Sequence, residues 1–157
     1  KNFKIKHCCF NINLMYPLIG RILHKTLKPV LYFFLKRTQR VRVLILFNNE
    51  VLLVRNWLST QRWTVPGGGI HDGEDKLRSA QREINEELGI LIDDKKLISL
   101  GEYHNSEFTV DSFVYRAEEK FNISRNRFEL IDADWFKIDD LPEPRKRIVE
   151  ELIKRLI

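Results

Sequence analysis

The stretch GGIHDGEDKLRSAQREINEELGI, residues 68–90, decides the fold and most of the chemistry. From Asp75 to Leu88 it predicts a helix, because Leu77, Ala80, Ile84 and Leu88 recur at helical steps and form one apolar stripe. Gly89 follows as the residue that commonly lies just past a helix end. Glu83, Glu86 and Glu87 stand at i, i+3 and i+4 off that stripe, where Cβ atoms are roughly 5–6 Å apart. Three like charges at that separation repel, so the helix gains nothing from them by itself. A divalent cation removes the conflict, and hard carboxylate oxygens suit Mg²⁺ or Mn²⁺. Such an ion keeps coordination positions for water and substrate phosphates. Glu74 and Asp75 sit at the positive end of the helix, which favours acids. Gly67, Gly68 and Gly69 allow the backbone to approach a metal–phosphate group closely.

With those residues in place, the stretch resembles the Nudix box: Gly, five residues, Glu, seven residues, then Arg-Glu-U-x-Glu-Glu-x-Gly-U, with U a bulky aliphatic. Gly68, Glu74, Arg82, Glu83, Ile84, Glu86, Glu87, Gly89 and Ile90 meet each demand at the required spacing. His71 stands where many members carry Glu, at a position the strict box leaves free. The likeness extends to Val51–Arg55, to Trp63-Thr64-Val65-Pro66 and to Trp135-Phe136 leading into Leu141-Pro142, and so covers roughly Val41 to Ile157.

The resemblance implies an α/β/α sandwich around a mixed β-sheet, with the box as loop–helix–loop. It implies that Glu83, Glu86 and Glu87, with the Gly67 carbonyl, hold one or more Mg²⁺ ions, Mn²⁺ being the alternative. Glu74 and Arg82 would form a salt bridge that fixes the helix, and Gly68 and Gly69 would lie against the substrate. Glu83 and Glu86 are the candidate bases for a water attacking phosphorus, with Glu107 and Asp111 as alternatives near a later loop. The implied reaction is hydrolysis of a diphosphate linkage in a nucleoside diphosphate joined to another moiety. The competing reading is a catalytically silent Nudix-fold module that binds a nucleotide or scaffolds a partner. A broken box would mark that case, and this box is intact.

Substrate choice is less legible. Arg55 reads equally as a phosphate contact and as a strand-edge cation. Trp57, Tyr103, Phe108 and Tyr115 are candidates to stack on a base, with core or rim placement the commoner fate of each. No proline occurs between Pro66 and Pro142, where ADP-ribose pyrophosphatases of this family carry one. The SQPW-type array of NADH pyrophosphatases is missing too, and Tyr103 matches only loosely the tyrosine of dinucleoside polyphosphate hydrolases. A nucleoside triphosphate, a nucleotide sugar and other diphosphates stay open. Walker A, GxSxG and dinucleotide-type GxGxxG patterns are absent, which argues against those reaction classes.

Outward from the box, Val41–Phe47 and Val51–Val54 predict a hairpin turning at Asn48-Asn49-Glu50. Trp63–Val65, Leu97–Tyr103, Asp111–Arg116 and Asp132–Ile138 predict further strands. A C-terminal helix should bury Ile148, Val149, Leu152, Ile153 and Leu156. Residues 1–40 read as a separate basic, apolar extension ahead of a domain at 41–157. Between Lys1 and Asn49 there are ten Lys/Arg and no Asp or Glu, whereas the remainder has seventeen Lys/Arg against twenty-two acids. Tyr16 to Arg37 predicts one or two amphipathic helices, kinked or restarted at Pro29. This segment serves either as a peripheral anchor on anionic lipid or as a helix packed on the domain or on a second copy. Residues 1–14 read as an upstream arm, with translation expected to begin at Met15. Such a concentrated terminal charge does not suggest specific nucleic-acid binding. Adjacent Cys8 and Cys9, without any zinc spacing, point to a reducing, cytoplasmic setting, peripheral at the membrane if the segment anchors. His7, His24, His71 and His104 show no ligand spacing.

Overall fold

A computed structural model of the protein describes residues 39–56, 61–104, 109–123 and 130–156. The helices expected over 16–37, together with Trp57, Glu107 and Phe108, lie outside the described residues. Strands β1 (Arg40–Phe47) and β2 (Glu50–Asn56) form the expected antiparallel hairpin, pairing Leu46 with Val51 and Phe47 with Glu50. Asn48 takes a left-handed φ of 51° at the turn, a conformation asparagine tolerates better than most residues. Arg40 thus belongs to the sheet, one residue ahead of the boundary drawn from sequence.

Helix α1 (Lys76–Leu88) follows, then a 3₁₀ turn at Asp94–Lys96, β3 (Ile98–His104), β4 (Thr109–Arg116), β5 (Leu130–Lys137) and helix α2 (Arg147–Lys154). The sheet order is β3-β4-β1-β2-β5, with β1 and β4 parallel and the other neighbours antiparallel. Alternation along β1 and β2 sends side chains to both faces. Val41, Val43, Ile45, Leu52 and Val54 pack with Ala80, Ile84 and Leu88 of α1. Leu44, Leu46, Val51 and Leu53 pack with Ile148, Val149, Leu152 and Ile153 of α2. Burial on both faces explains why these strands read as continuous apolar runs. The result is the α/β/α sandwich with a mixed sheet. Among the described residues no helix is long and apolar enough to cross a membrane.

One local expectation is corrected. Trp63–Val65 is not a strand: Thr64 makes a single bridge to Val54 and Trp63 one to Arg145. β1 and β2 pair only near their shared turn, and the 63–70 segment fills the widening gap between them. Val41 N–H donates to Gly68 O at 2.9 Å, Val43 N–H to Pro66 O at 3.0 Å and Val54 N–H to Thr64 O at 2.9 Å. This wedge carries the glycines of the box to the opening between the two strands.

Candidate active site

The wedge places its glycines by steric necessity. Gly67 has φ 127°, and a Cβ there would lie 2.4 Å from Val41 O. A Cβ on Gly68 would fall 2.3 Å from the Glu83 carboxylate. The loop therefore touches β1 on one side and the helix acids on the other. Asp75 starts α1 by accepting from Leu77 N–H at 3.0 Å and Arg78 N–H at 3.1 Å, a side-chain cap for otherwise unpaired donors. Gly89 ends it in the left-handed conformation, its N–H bonded to Asn85 O. Ser79, Ala80, Ile84 and Leu88 are buried, so the acidic flank is held at the cleft by packing on the opposite flank.

Arg82 is the hub of that flank. Its Nε donates to Glu74 Oε1 at 2.7 Å and its Nη2 to Glu74 Oε2 at 2.8 Å, a two-pronged pair. Nη2 also donates to Gly69 O at 2.9 Å, and Nη1 to Glu83 Oε1 at 2.8 Å and Glu86 Oε2 at 3.1 Å. One guanidinium thus ties the glycine loop, the residue preceding the helix cap and two helix carboxylates together. The Arg82 hydrogen bonds, with the His71 N–H, lower the Glu74 carboxyl to about 2. The same pairing raises the Arg82 guanidinium above its ordinary value.

Glu87 has a different set of partners. Oε2 accepts from Gly67 N–H at 2.8 Å and Oε1 from Asn56 Nδ2 at 2.7 Å. Removal from water raises its pKa; the charge of Arg42 and those two hydrogen bonds oppose the rise, and Glu83 adds to it. Arg42 reaches from β1 to donate to Val65 O at 3.2 Å and also to Gly67 O. Burial lowers the Arg42 pKa, against the pull of Glu87 and Glu83. Behind Arg42 lies further positive charge. Trp63 N–H bonds to Pro144 O and Lys146 N–H to Trp63 O, which seats the start of α2 against the wedge. Burial, then repulsion from Arg42 and Arg40, brings the Lys146 ammonium down to about 8, with Glu87 opposing and Arg62 adding.

The oxygens expected to face a divalent cation are those of Glu83, Glu86 and Glu87 and the Gly67 carbonyl, which here accepts from Arg42. Among the described residues no three acidic, His or Cys side chains converge into a cage. Glu83 and Glu86 turn to Arg82, and Glu87 turns to Asn56 and Gly67. A converged cage is not what Mg²⁺ requires, since it commonly takes one or two carboxylates and completes its shell with water and phosphate. Glu83 fills the space over Gly68 while its charge acts on Glu87, so two hard carboxylates border one loop. The donor set fits the ion.

The remaining candidates separate clearly. Arg55 Nη2 pairs with Asp132 Oδ2 at 3.0 Å, and the guanidinium lies 4.6 Å over the Trp63 ring, contacts that tie it to the sheet. Asp111 is buried on β4 and accepts from Lys76 Nζ at 2.6 Å, at the opposite end of α1 from Glu86 and Glu87. At 1.5 Å per residue, Lys76 lies ~15 Å along the axis from those acids. Tyr115 is a core residue beside Phe121, and Tyr103 is half-buried against the α2 layer. The sequence reading missed Arg42, Asn56 and Lys146. The one available signal was Arg42, a cation between Val41 and Val43 in a strand whose residues from Val43 to Phe47 are all apolar.

Diphosphoinositol polyphosphate phosphohydrolase 2 of Rattus norvegicus is 30% identical over 118 residues, which covers 69% of this chain and 63% of that protein. The chain spans between half and two thirds of the length of the curated relatives it matches. A MutT NUDIX hydrolase from Burkholderia pseudomallei shares the fold with a TM-score of 0.66 at 20% identity, over 77% of this chain and 98% of that one. A UDP-X diphosphatase aligns with a TM-score of 0.62 at 25% identity, over 87% of this chain and 68% of that one. The NUDIX domain family matches residues 36–156, and the chain belongs to that family.

Proposed function

We propose that this protein hydrolyses a diphosphate linkage in a nucleoside diphosphate joined to another moiety, with Mg²⁺ or Mn²⁺ as cofactor. The observation that carries the reading is the pair of carboxylates, Glu83 and Glu87, bordering the Gly67–Gly68 loop with their positions fixed by Arg82, Asn56 and the Gly67 amide. Glu83, Glu86, Glu87 and the Gly67 carbonyl would hold the ion. When bound, it supplies neutralising charge to the phosphoryl oxygens and eases formation of a nucleophile from water. Glu83 or Glu86 takes a proton from the attacking water as its oxygen bonds to phosphorus, and the bridging P–O bond breaks with its electron pair leaving on oxygen. Arg82 and Glu74 keep the helix acids in register with the loop.

A second reading of the substrate has an observation of its own. Arg42 and Arg62 both act repulsively on the buried Lys146 ammonium, against the pull of Glu87, which leaves an excess of positive charge about the start of α2. A substrate with several phosphates relieves that excess better than a lone diphosphate. The relatives named for diphosphoinositol polyphosphates make a polyphosphorylated diphosphate worth including.

The test is a panel of nucleoside triphosphates, nucleotide sugars, ADP-ribose and a diphosphoinositol polyphosphate, with Mg²⁺ or Mn²⁺ and with chelator. We expect products of diphosphate cleavage from at least one compound, and only with metal. Full activity in excess chelator, after verified metal removal, would overturn the metal role. Saturable binding without turnover across the panel would replace the enzyme with the silent nucleotide-binding module.

A further inference from the structure

Asn56 ends β2 two residues beyond Val54 and four beyond Leu52, both of which face α1 in the core. Alternation along the strand puts Asn56 on that same face, where the pattern calls for another apolar side chain. It carries a carboxamide instead. The β2–β5 register shifts between Arg55 and Asn56, an irregularity of the kind that re-aims a side chain at a strand end. On the opposite face, Arg55 is pinned by Asp132 and the Trp63 ring, which fixes the backbone leading into Asn56.

We propose that Asn56 is a positioning residue that sets the Glu87 carboxylate for metal binding; this rests on the reading of Glu87 as a metal ligand. An ionised carboxylate only accepts hydrogen bonds, so the amide nitrogen of Asn56 faces it. Asn56 Nδ2 takes Oε1 at 2.7 Å and Gly67 N–H takes Oε2 at 2.8 Å, one donor for each oxygen. Two donors from two separate chain segments fix both the direction and the rotation of the carboxylate plane, whereas Arg42 acts on Glu87 by its charge and spends its hydrogen bonds on Val65 O and Gly67 O. The other end of the amide argues against a packing role. Asn56 Oδ1 is buried and has no hydrogen-bond partner among the described residues, a cost an aliphatic side chain at this position would avoid. The carboxamide is therefore disfavoured for packing and suited to holding Glu87. Partners of this kind, one shell removed from the metal, commonly change metal affinity by about 10–100-fold when lost.

The experiment measures Mn²⁺ binding to the full chain by calorimetric titration, alongside urea unfolding of the metal-free protein. The variants are Asn56→Leu, Asn56→Ser and Glu87→Gln. We expect Asn56→Leu to weaken Mn²⁺ binding by ~10-fold or more while the metal-free protein still unfolds in one cooperative transition. Asn56→Ser, which keeps a short donor, should recover part of the loss and guards against a leucine that fails to pack. Mn²⁺ affinity within two-fold of the parent in both Asn56 variants, while Glu87→Gln binds weakly, would overturn the role of Asn56 alone. Unchanged Mn²⁺ affinity in Glu87→Gln would instead overturn the ligand reading on which it rests.

Discussion

Three glycine-to-alanine changes in the box loop separate steric space from backbone conformation. Gly69 has open space where a Cβ would stand and lacks a positive φ; Gly73 has open space but φ 76°; Gly67 has φ 127° and a Cβ position 2.4 Å from Val41 O. Gly69→Ala should be neutral or stabilise by about 0.4–1 kcal/mol, because alanine narrows the unfolded ensemble. Gly73→Ala gains the same entropy but adopts a left-handed conformation costing roughly 1–2 kcal/mol, for a net loss of about 1 kcal/mol. Gly67→Ala adds to ~1–3 kcal/mol of backbone strain another ~1–3 kcal/mol for displacing β1 backbone, a loss of about 2–6 kcal/mol. The Val41 oxygen belongs to a strand paired on both sides, so it cannot yield as a flexible side chain would. Urea unfolding of the three variants, with the slope checked for constancy, reads the series directly. Equal destabilisation by Gly67→Ala and Gly73→Ala would refute the argument, since it would mean that the contact with β1 does not constrain the loop.

Two further outcomes follow from the box helix. Glu86→Gln and Glu87→Gln should each lower turnover by ~10²–10⁴ with an unchanged circular dichroism spectrum, since neither side chain joins the apolar stripe; near-parent rates in both would remove the box from the chemistry. The Glu74 carboxyl is depressed in the folded chain from an ordinary 4.5 to about 2, so its contribution to stability is present above the unfolded value and fades as pH falls through that window. Parent and Glu74→Gln should therefore converge in stability between pH 4.5 and 2, and parallel pH–stability curves would contradict the pairing with Arg82.

What the sequence displayed was local or periodic. The α1 stripe, its Asp75 cap and its Gly89 end, the hairpin and the box spacing all depend on residues within a few positions of one another. The 63–65 run misled because an apolar, β-branched stretch looks the same whether it joins a ladder or wedges between two diverging strands. The partners of Glu87 were hidden for a related reason. Asn56 lies 31 residues from Glu87, and Arg42 lies 25 from Gly67, so their roles depend on strand order and on where β1 and β2 separate. Arg55 makes the same point: it read equally as a phosphate contact and as a strand-edge cation, and its pairing with Asp132 depends on β5 lying opposite.

The arrangement also changes the physical account of why three glutamates can share one helix turn. From sequence, their repulsion asks for a divalent cation. In the folded chain, guanidinium groups already meet much of that demand: Arg82 bonds Glu74, Glu83 and Glu86, while Arg42 opposes the burial of Glu87. The helix stripe, its caps and these two arginines all favour the folded box by contacts of the chain itself. On that account a bound metal would add to stability through its own binding, as RT ln(1 + [M]/Kd), rather than create the fold as in small zinc domains. The two arginines differ in what they permit. Arg82 holds Glu83 and Glu86 directly, so an ion must compete with its guanidinium for those oxygens. Of that pair Glu86 is the more exposed and takes the longer bond, 3.1 Å against 2.8 Å, so water and an ion reach its carboxylate more readily. Glu87 keeps its direction from neutral amides, which leave the carboxylate's negative charge intact. On the proposed reading, Glu87 is thus the acid least hindered by a guanidinium bond from engaging a cation.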